Sequence, residues 1–144
     1  MNEVEALQLL ALVKLAYPTA YRYTDAETAK KEAIATANMW QMSFPDVPYP
    51  IMEQAFNHFR MVSKFPPTLA EMAEELRQIH FHATECALIH KTLGDEAEVR
   101  RYKAIMDCTL RYKNNEHMGL QLGNIPMLEI GGDSNVQKLA APGD

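Results

Sequence analysis

Apolar positions recur at three- and four-residue steps through most of the first 114 positions, and this period predicts a succession of helices. From about Glu3 to Ala16, Val4, Leu7, Leu10, Ala11 and Leu15 trace one stripe, which Leu9, Leu12 and Val13 widen. A helix apolar nearly all round belongs in the middle of a bundle. Glu3 and Glu5 suit the positive end of its dipole, and Pro18 halts it. Thr24 followed by Glu27 reads as a capping box opening a second helix, which runs to about Ser43 with Ala29, Ala33, Ala37, Trp40 and Phe44 on one face. Small alanines followed by large aromatics predict close helix approach at one end and a wedge at the other. Pro45, Pro48 and Pro50 prevent continuation and favour a restart. Ile51, Ala55, Phe56, Phe59 and Val62 then form the predicted inward face of a third helix, closed by Phe65-Pro66-Pro67. Thr68 with Glu71 repeats the capping box. The fourth helix carries Leu69, Met72, Ala73, Leu76, Ile79 and Ala83 and extends towards Leu93, where Gly94 suits a C-terminal stop. A fifth, from about Asp95 to Asn114, shows Val99, Tyr102, Met106 and Leu110. Strand signals are weak before residue 115, so the expected fold is all-α, a small bundle of about five helices.

Beyond Asn114 the texture changes. Residues 115–144 hold five of the six glycines, two prolines and no periodic apolar face. The chain therefore divides into a helical domain, 1–114, and an expected flexible tail, 115–144. Within that tail the segment 124–130 contains one apolar cluster, Ile125-Pro126-Met127-Leu128-Glu129-Ile130. An apolar run in a glycine-flanked polar tail has no core to join by default, and segments that fold on contact have this composition. Ile125, Met127, Leu128 and Ile130 are its candidate partner-binding anchors, suited to a hydrophobic groove. The competing reading packs the segment back on the bundle.

Composition narrows the class. At 144 residues, 47% hydrophobic and 23% charged, the chain can bury a core without disulfides or metal. Nine methionines are many for this length, and they read first as core. A net charge of -5 argues against a dedicated duplex-DNA binder, which carries a basic footprint. Cys86 and Cys108 lack paired spacing, as expected of reduced thiols in a cytoplasmic protein. The apolar run from Leu7 to Ala16 contains Lys14 and is too short for a membrane span, so a soluble protein without a cleavable signal is expected.

Candidate chemistry is sparse. His82, Cys86 and His90 fall at i, i+4 and i+8, so adjacent pairs could chelate zinc. One straight helix does not wrap three ligands round a tetrahedral ion, however, and polar residues on a packing face are the simpler reading. Arg100, Arg101, Lys103, Arg111 and Lys113 concentrate on the fifth helix against Asp107, a patch that fits phosphates or an acidic partner. Its plain alternative is a solvated face with cations favouring the helix C-terminus. The chain has no Walker-type phosphate loop and no nucleophile in a recognisable elbow, and Glu74 and Glu75 read as solubilising charge. No enzyme, cofactor or metal site is expected.

The stretches Leu9-Leu10-Ala11-Leu12-Val13-Lys14-Leu15-Ala16-Tyr17-Pro18, Trp40 ahead of Phe44, Val47-Pro48-Tyr49, and Lys64-Phe65-Pro66-Pro67-Thr68-Leu69-Ala70-Glu71-Met72 together resemble the phage replicative-helicase loader and inhibitor family. The similarity covers about residues 5–80. It implies a small helical adaptor without its own ATPase, acting in the bacterial host cytoplasm on a hexameric replicative helicase and an origin-bound initiator. It also implies a C-terminal region involved in helicase contact, a place that the 125–130 cluster occupies by order along the chain. The segment from about residue 84 to 114 is not accounted for by the resemblance. A DNA-binding replisome or regulatory protein using the fifth helix, and a helical phage assembly protein, are the rival readings. On physical grounds Trp40, Phe44, Phe65 and Thr68 are expected to be structural residues and not contact residues.

Overall fold

The computed structural model describes residues 1–114. Five helices follow in order: α1 Glu3–Ala16, α2 Ala26–Ser43, α3 Tyr49–Val62, α4 Leu69–Leu93 and α5 Glu96–Lys113. There is no strand among the described residues, and the fold is all-α as the periodicity predicts.

Backbone accounting explains most boundaries. Asn2 caps α1 reciprocally with Glu5, and Thr68 caps α4 reciprocally with Glu71, so free N-terminal amides are satisfied at both starts. Pro48 and Pro50 flank the first residue of α3, where a missing N–H costs nothing. Gly94 ends α4 at a left-handed φ of 76°, a conformation that a side chain disfavours. The start of α2 corrects the expectation. Asp25, not Thr24, is the cap: its carboxylate accepts the Thr28 N–H at 2.7 Å, while the Thr24 hydroxyl only donates to Asp25 at 3.3 Å. Both residues stand at capping distance from a suitable partner, and the charged acceptor wins at the positive helix end. Those hydrogen bonds hold the Asp25 carboxyl below the usual carboxylate range.

α1 and α3 run side by side in the same direction. The Met1 amine donates to the Val47 carbonyl just before α3 (3.2 Å), and the Tyr17 hydroxyl donates to Ser63 just after it (3.0 Å). α2 packs on the other side of α1, and α4 packs on α3. The shared core takes Leu9, Leu10 and Val13 from α1, Trp40 and Phe44 from α2 and its end, Met52, Phe56 and Phe59 from α3, and Met72 and Leu76 from α4. α4 then doubles back into α5, which returns to this core through Tyr112.

Three packing expectations change. α1 lies between α2 and α3 but is not wrapped all round, for Val4 and Leu15 are exposed. On α3 Met52 is buried, whereas Val62 is 76% exposed in the last turn, where the spacing continues but none of the described helices lies over it. On α5 Leu110 is exposed and the buried positions are Thr109 and Tyr112. Here a polar contact sets the rotation of the helix. The Thr109 hydroxyl donates to the Ile105 carbonyl at 2.7 Å and accepts from Nδ1 of buried His80 at 3.1 Å.

That histidine makes stability pH-dependent. Burial, aided by the Lys113 charge and opposed by the Met106 carbonyl, lowers the His80 pKa below its ordinary value. The unfolded chain therefore takes up the proton first. The contribution of His80 is complete above the unfolded value of 6.5 and is lost as pH falls below it. Urea titrations between pH 7 and 5 are expected to show stability falling at up to about 1.4 kcal/mol per pH unit from this group. His80→Gln should flatten that slope, and an unchanged slope would locate the pH dependence elsewhere.

Candidate partner-binding surfaces

Ile125, Met127, Leu128 and Ile130 lie outside the described residues. The five α5 cations fall into two groups along the helix. Arg100, Arg101 and Lys103 stand near its start, where Arg100 and Lys103 line a shallow hollow with Lys91, Gly94, Glu96 and Val99. Arg111 and Lys113 stand in its last turn. One member of the first group is already engaged. Arg101 pairs with Glu98 at 2.9 Å and lies over the Tyr102 ring at 4.4 Å, and this carboxylate raises its pKa further. Asp107 falls between Lys103 and Arg111, and Lys113 contributes to the field on His80. The arrangement is a mixed charged face divided by an acid, not a continuous basic strip.

The His82–Cys86–His90 series separates in the same way. Cys86 Sγ lies 3.5 Å from His82 Nε2, but His90 turns away to stack on Tyr102, with ring centroids 5.6 Å apart. Among the described residues no group of three His, Cys, Asp or Glu side chains is placed to hold a metal ion. Cys108 donates to the Ile105 carbonyl at 3.2 Å, and burial pushes its thiol pKa up, away from nucleophilic use. His58 Nδ1 meets Glu75 Oε2 at 2.6 Å across α3 and α4, in a hollow shared with Gln54, Gln78, Ile79 and His82.

Two apolar features escape the period-based reading. At the end where α1 and α3 stop together, Leu15, Met61, Val62 and Phe65 are all exposed, with Arg60 and Lys64 beside Met61 in the same hollow. Trp40 and Phe44 are core as expected and Thr68 is a cap, but Phe65, 75% exposed, is not part of the core. The second feature is a groove between α1 and α2, about 290 Å³ in volume and almost wholly apolar. Leu7, Leu10 and Ala11 form one wall and Ala29 and Ala33 the other, with Tyr21 and Tyr23 of the connecting loop. One signal could have found it. α1 carries more apolar residues than one packing face needs, and the facing positions of α2 are alanines too small to fill the space.

The loop between α1 and α2 is held in shape beside that groove. Lys14 donates to the carbonyls of Pro18 and Ala20, and Tyr21 sits at a left-handed φ of 54°, which is uncommon for a residue with a side chain. Desolvation raises the pKa of its hydroxyl. No helix among the described residues is long and apolar enough to cross a membrane.

No curated protein and no solved structure matches the chain. The family model for the N-terminal domain of the phage SPP1 helicase loader matches residues 1–73. That span takes in α1, α2, α3 and the capped start of α4, which supply all of the shared core except Leu76 and Tyr112. With half of its length matched, the chain belongs to this family of phage helicase loaders.

Proposed function

We propose that this protein is a non-enzymatic adaptor of phage or prophage DNA replication that binds a hexameric replicative helicase, restrains its activity and assists its loading at an origin. The observation that carries the reading is the match of the loader family's N-terminal domain to the helices that build the core. The described residues are compatible with it: Glu5 and Glu71 serve in caps, Arg101 with Glu98 in a surface pair and His80 in packing. A loader needs no chemistry of its own. It must bind one state of the ring better than another, and its preference then holds that state. Helicase contact is assigned to the apolar anchors Ile125, Met127, Leu128 and Ile130, and an origin-bound initiator is the proposed second partner.

The test is direct. The full chain, mixed with the hexameric replicative helicase of the bacterial host, should co-elute with it and lower its rate of ATP hydrolysis. Separate elution with unchanged ATP turnover would reject the reading. A mobility-shift assay at two salt concentrations addresses the DNA-binding alternative through Arg100, Arg101, Lys103, Arg111 and Lys113. Phosphate-driven binding must weaken steeply with salt. The Arg101–Glu98 pair and the intervening Asp107 favour a weak shift or none.

A further inference from the structure

We propose that the groove between α1 and α2 is the docking site of this chain's own segment 125–130. The groove is a built cavity, with the side chains of α1 on one wall and the alanines of α2 on the other. At about 290 Å³ it is at the small end of ligand pockets, roughly 300–1,000 Å³, so it takes a few side chains and not a whole helix. Ile125-Pro126-Met127-Leu128-Glu129-Ile130 presents a few aliphatic side chains in a short run, with a proline that disfavours helix.

Reach is sufficient. The described chain ends beside the C-terminal end of α2, where the Tyr112 hydroxyl donates to the Ser43 carbonyl at 3.1 Å. From Ser43 back along α2 to Ala33 and Ala29 is about 15–21 Å at 1.5 Å per residue. The ten residues 115–124 can extend to about 33 Å. Tethering sets the competition. A short linker holds its segment at an effective concentration of about a millimolar, so even a weak contact is populated and any free apolar partner must displace it. Charge has the right sign as well. Residues 115–144 carry Glu116, Glu129, Asp133 and Asp144 against Lys138, a net of -3, while the groove's charged lining residue is Lys14.

Docking of this kind does not depend on the helicase. Its consequence, that a helicase must compete with the groove for the same anchors, rests on the function proposed above. The contact would then act as a cover on the partner-binding segment until a target arrives.

Proton–nitrogen NMR spectra of the full chain test the docking in three proteins: wild type, Ala33→Trp, which fills the groove from α2, and Met127→Asp, which leaves the helices untouched. In wild type the amides of Ile125 and of Met127 to Ile130 should be displaced from their positions in Ala33→Trp, and the Leu7 and Ala11 amides should shift in Met127→Asp. Neither shift should change over a tenfold dilution. Tail signals superimposable between wild type and Ala33→Trp, with Leu7 and Ala11 signals superimposable between wild type and Met127→Asp, would overturn the proposal. So would dilution-dependent shifts, which assign the groove to a second copy. Circular dichroism checks that Ala33→Trp stays helical, and the Met127→Asp comparison stands if it does not. Helicase affinity is read separately. Freed anchors should bind about twice as tightly if the docked form is half populated. Docking shifts without any helicase binding would keep the groove assignment and reject the loader reading instead.

Discussion

Tyr112→Ala should destabilise the fold by about 3–5 kcal/mol, the range for deleting a large buried aromatic, whereas Tyr112→Phe should cost about 1 kcal/mol. Tyr112 is fully buried at the end of α5, its ring 5.9 Å from that of Phe44. Its hydroxyl donates to the Ser43 carbonyl in the last turn of α2, one of the groups a helix end leaves without an intrahelical partner. The residue is thus the clasp by which the α4–α5 hairpin returns to the helices of the matched domain. Urea denaturation of the two variants measures the difference. A loss below about 1 kcal/mol for Tyr112→Ala would mean that α5 is held through α4 alone. A second readout comes from ionisation. Burial pushes the Tyr112 hydroxyl up to about 12 from 10.0, so the unfolded chain loses the proton first. Its contribution is complete below pH 10 and is lost as pH rises towards 12, and Tyr112→Phe should remove that part of the alkaline loss.

The same residue shows where sequence reading stops. Elements were legible because their signals are local. Pro18, Pro48 and Pro50, Thr68 with Glu71, and Gly94 each act on their own backbone, and each boundary lies where the chemistry of those residues puts it. Faces were legible only where spacing and neighbours agree. On α5 the stripe through Leu110 and the stripe through Thr109 and Tyr112 are both helical, and the choice depends on His80, 29 residues away from Thr109. Asp25 and Thr24 pose the same problem on a smaller scale, two caps one residue apart. Exposure was the least legible property. Phe65 and Val62 look like core residues by type, yet none of the described helices covers them. The α1–α2 groove is a hole in the packing, a property of two facing helices that neither sequence stripe contains alone.

The anchors proposed for helicase contact make the other large prediction. Met127→Asp together with Leu128→Asp should weaken helicase binding by about 10²- to 10⁴-fold. Each buried Met or Leu side chain contributes roughly 1.5–3 kcal/mol, and about 1.4 kcal/mol is a factor of ten in affinity. The introduced carboxylates raise the cost, because an unpaired charge in an apolar site keeps its desolvation penalty. Circular dichroism should keep the signal of the five described helices, none of which contains position 127 or 128. A control must separate apolar anchoring from charge, for the double variant also takes the net charge from -5 to -7. Ser134→Asp with Asn135→Asp makes the same change in charge a few residues beyond the cluster. If both doubles lose binding equally, the tail acts through its charge, and the anchor assignment fails. If neither does, the contact lies on the helices, and the exposed Leu15–Met61–Phe65 end becomes the surface to mutate. Loss in the first double alone places the contact on Met127 and Leu128, whose apolar bulk the charge-matched control leaves in place.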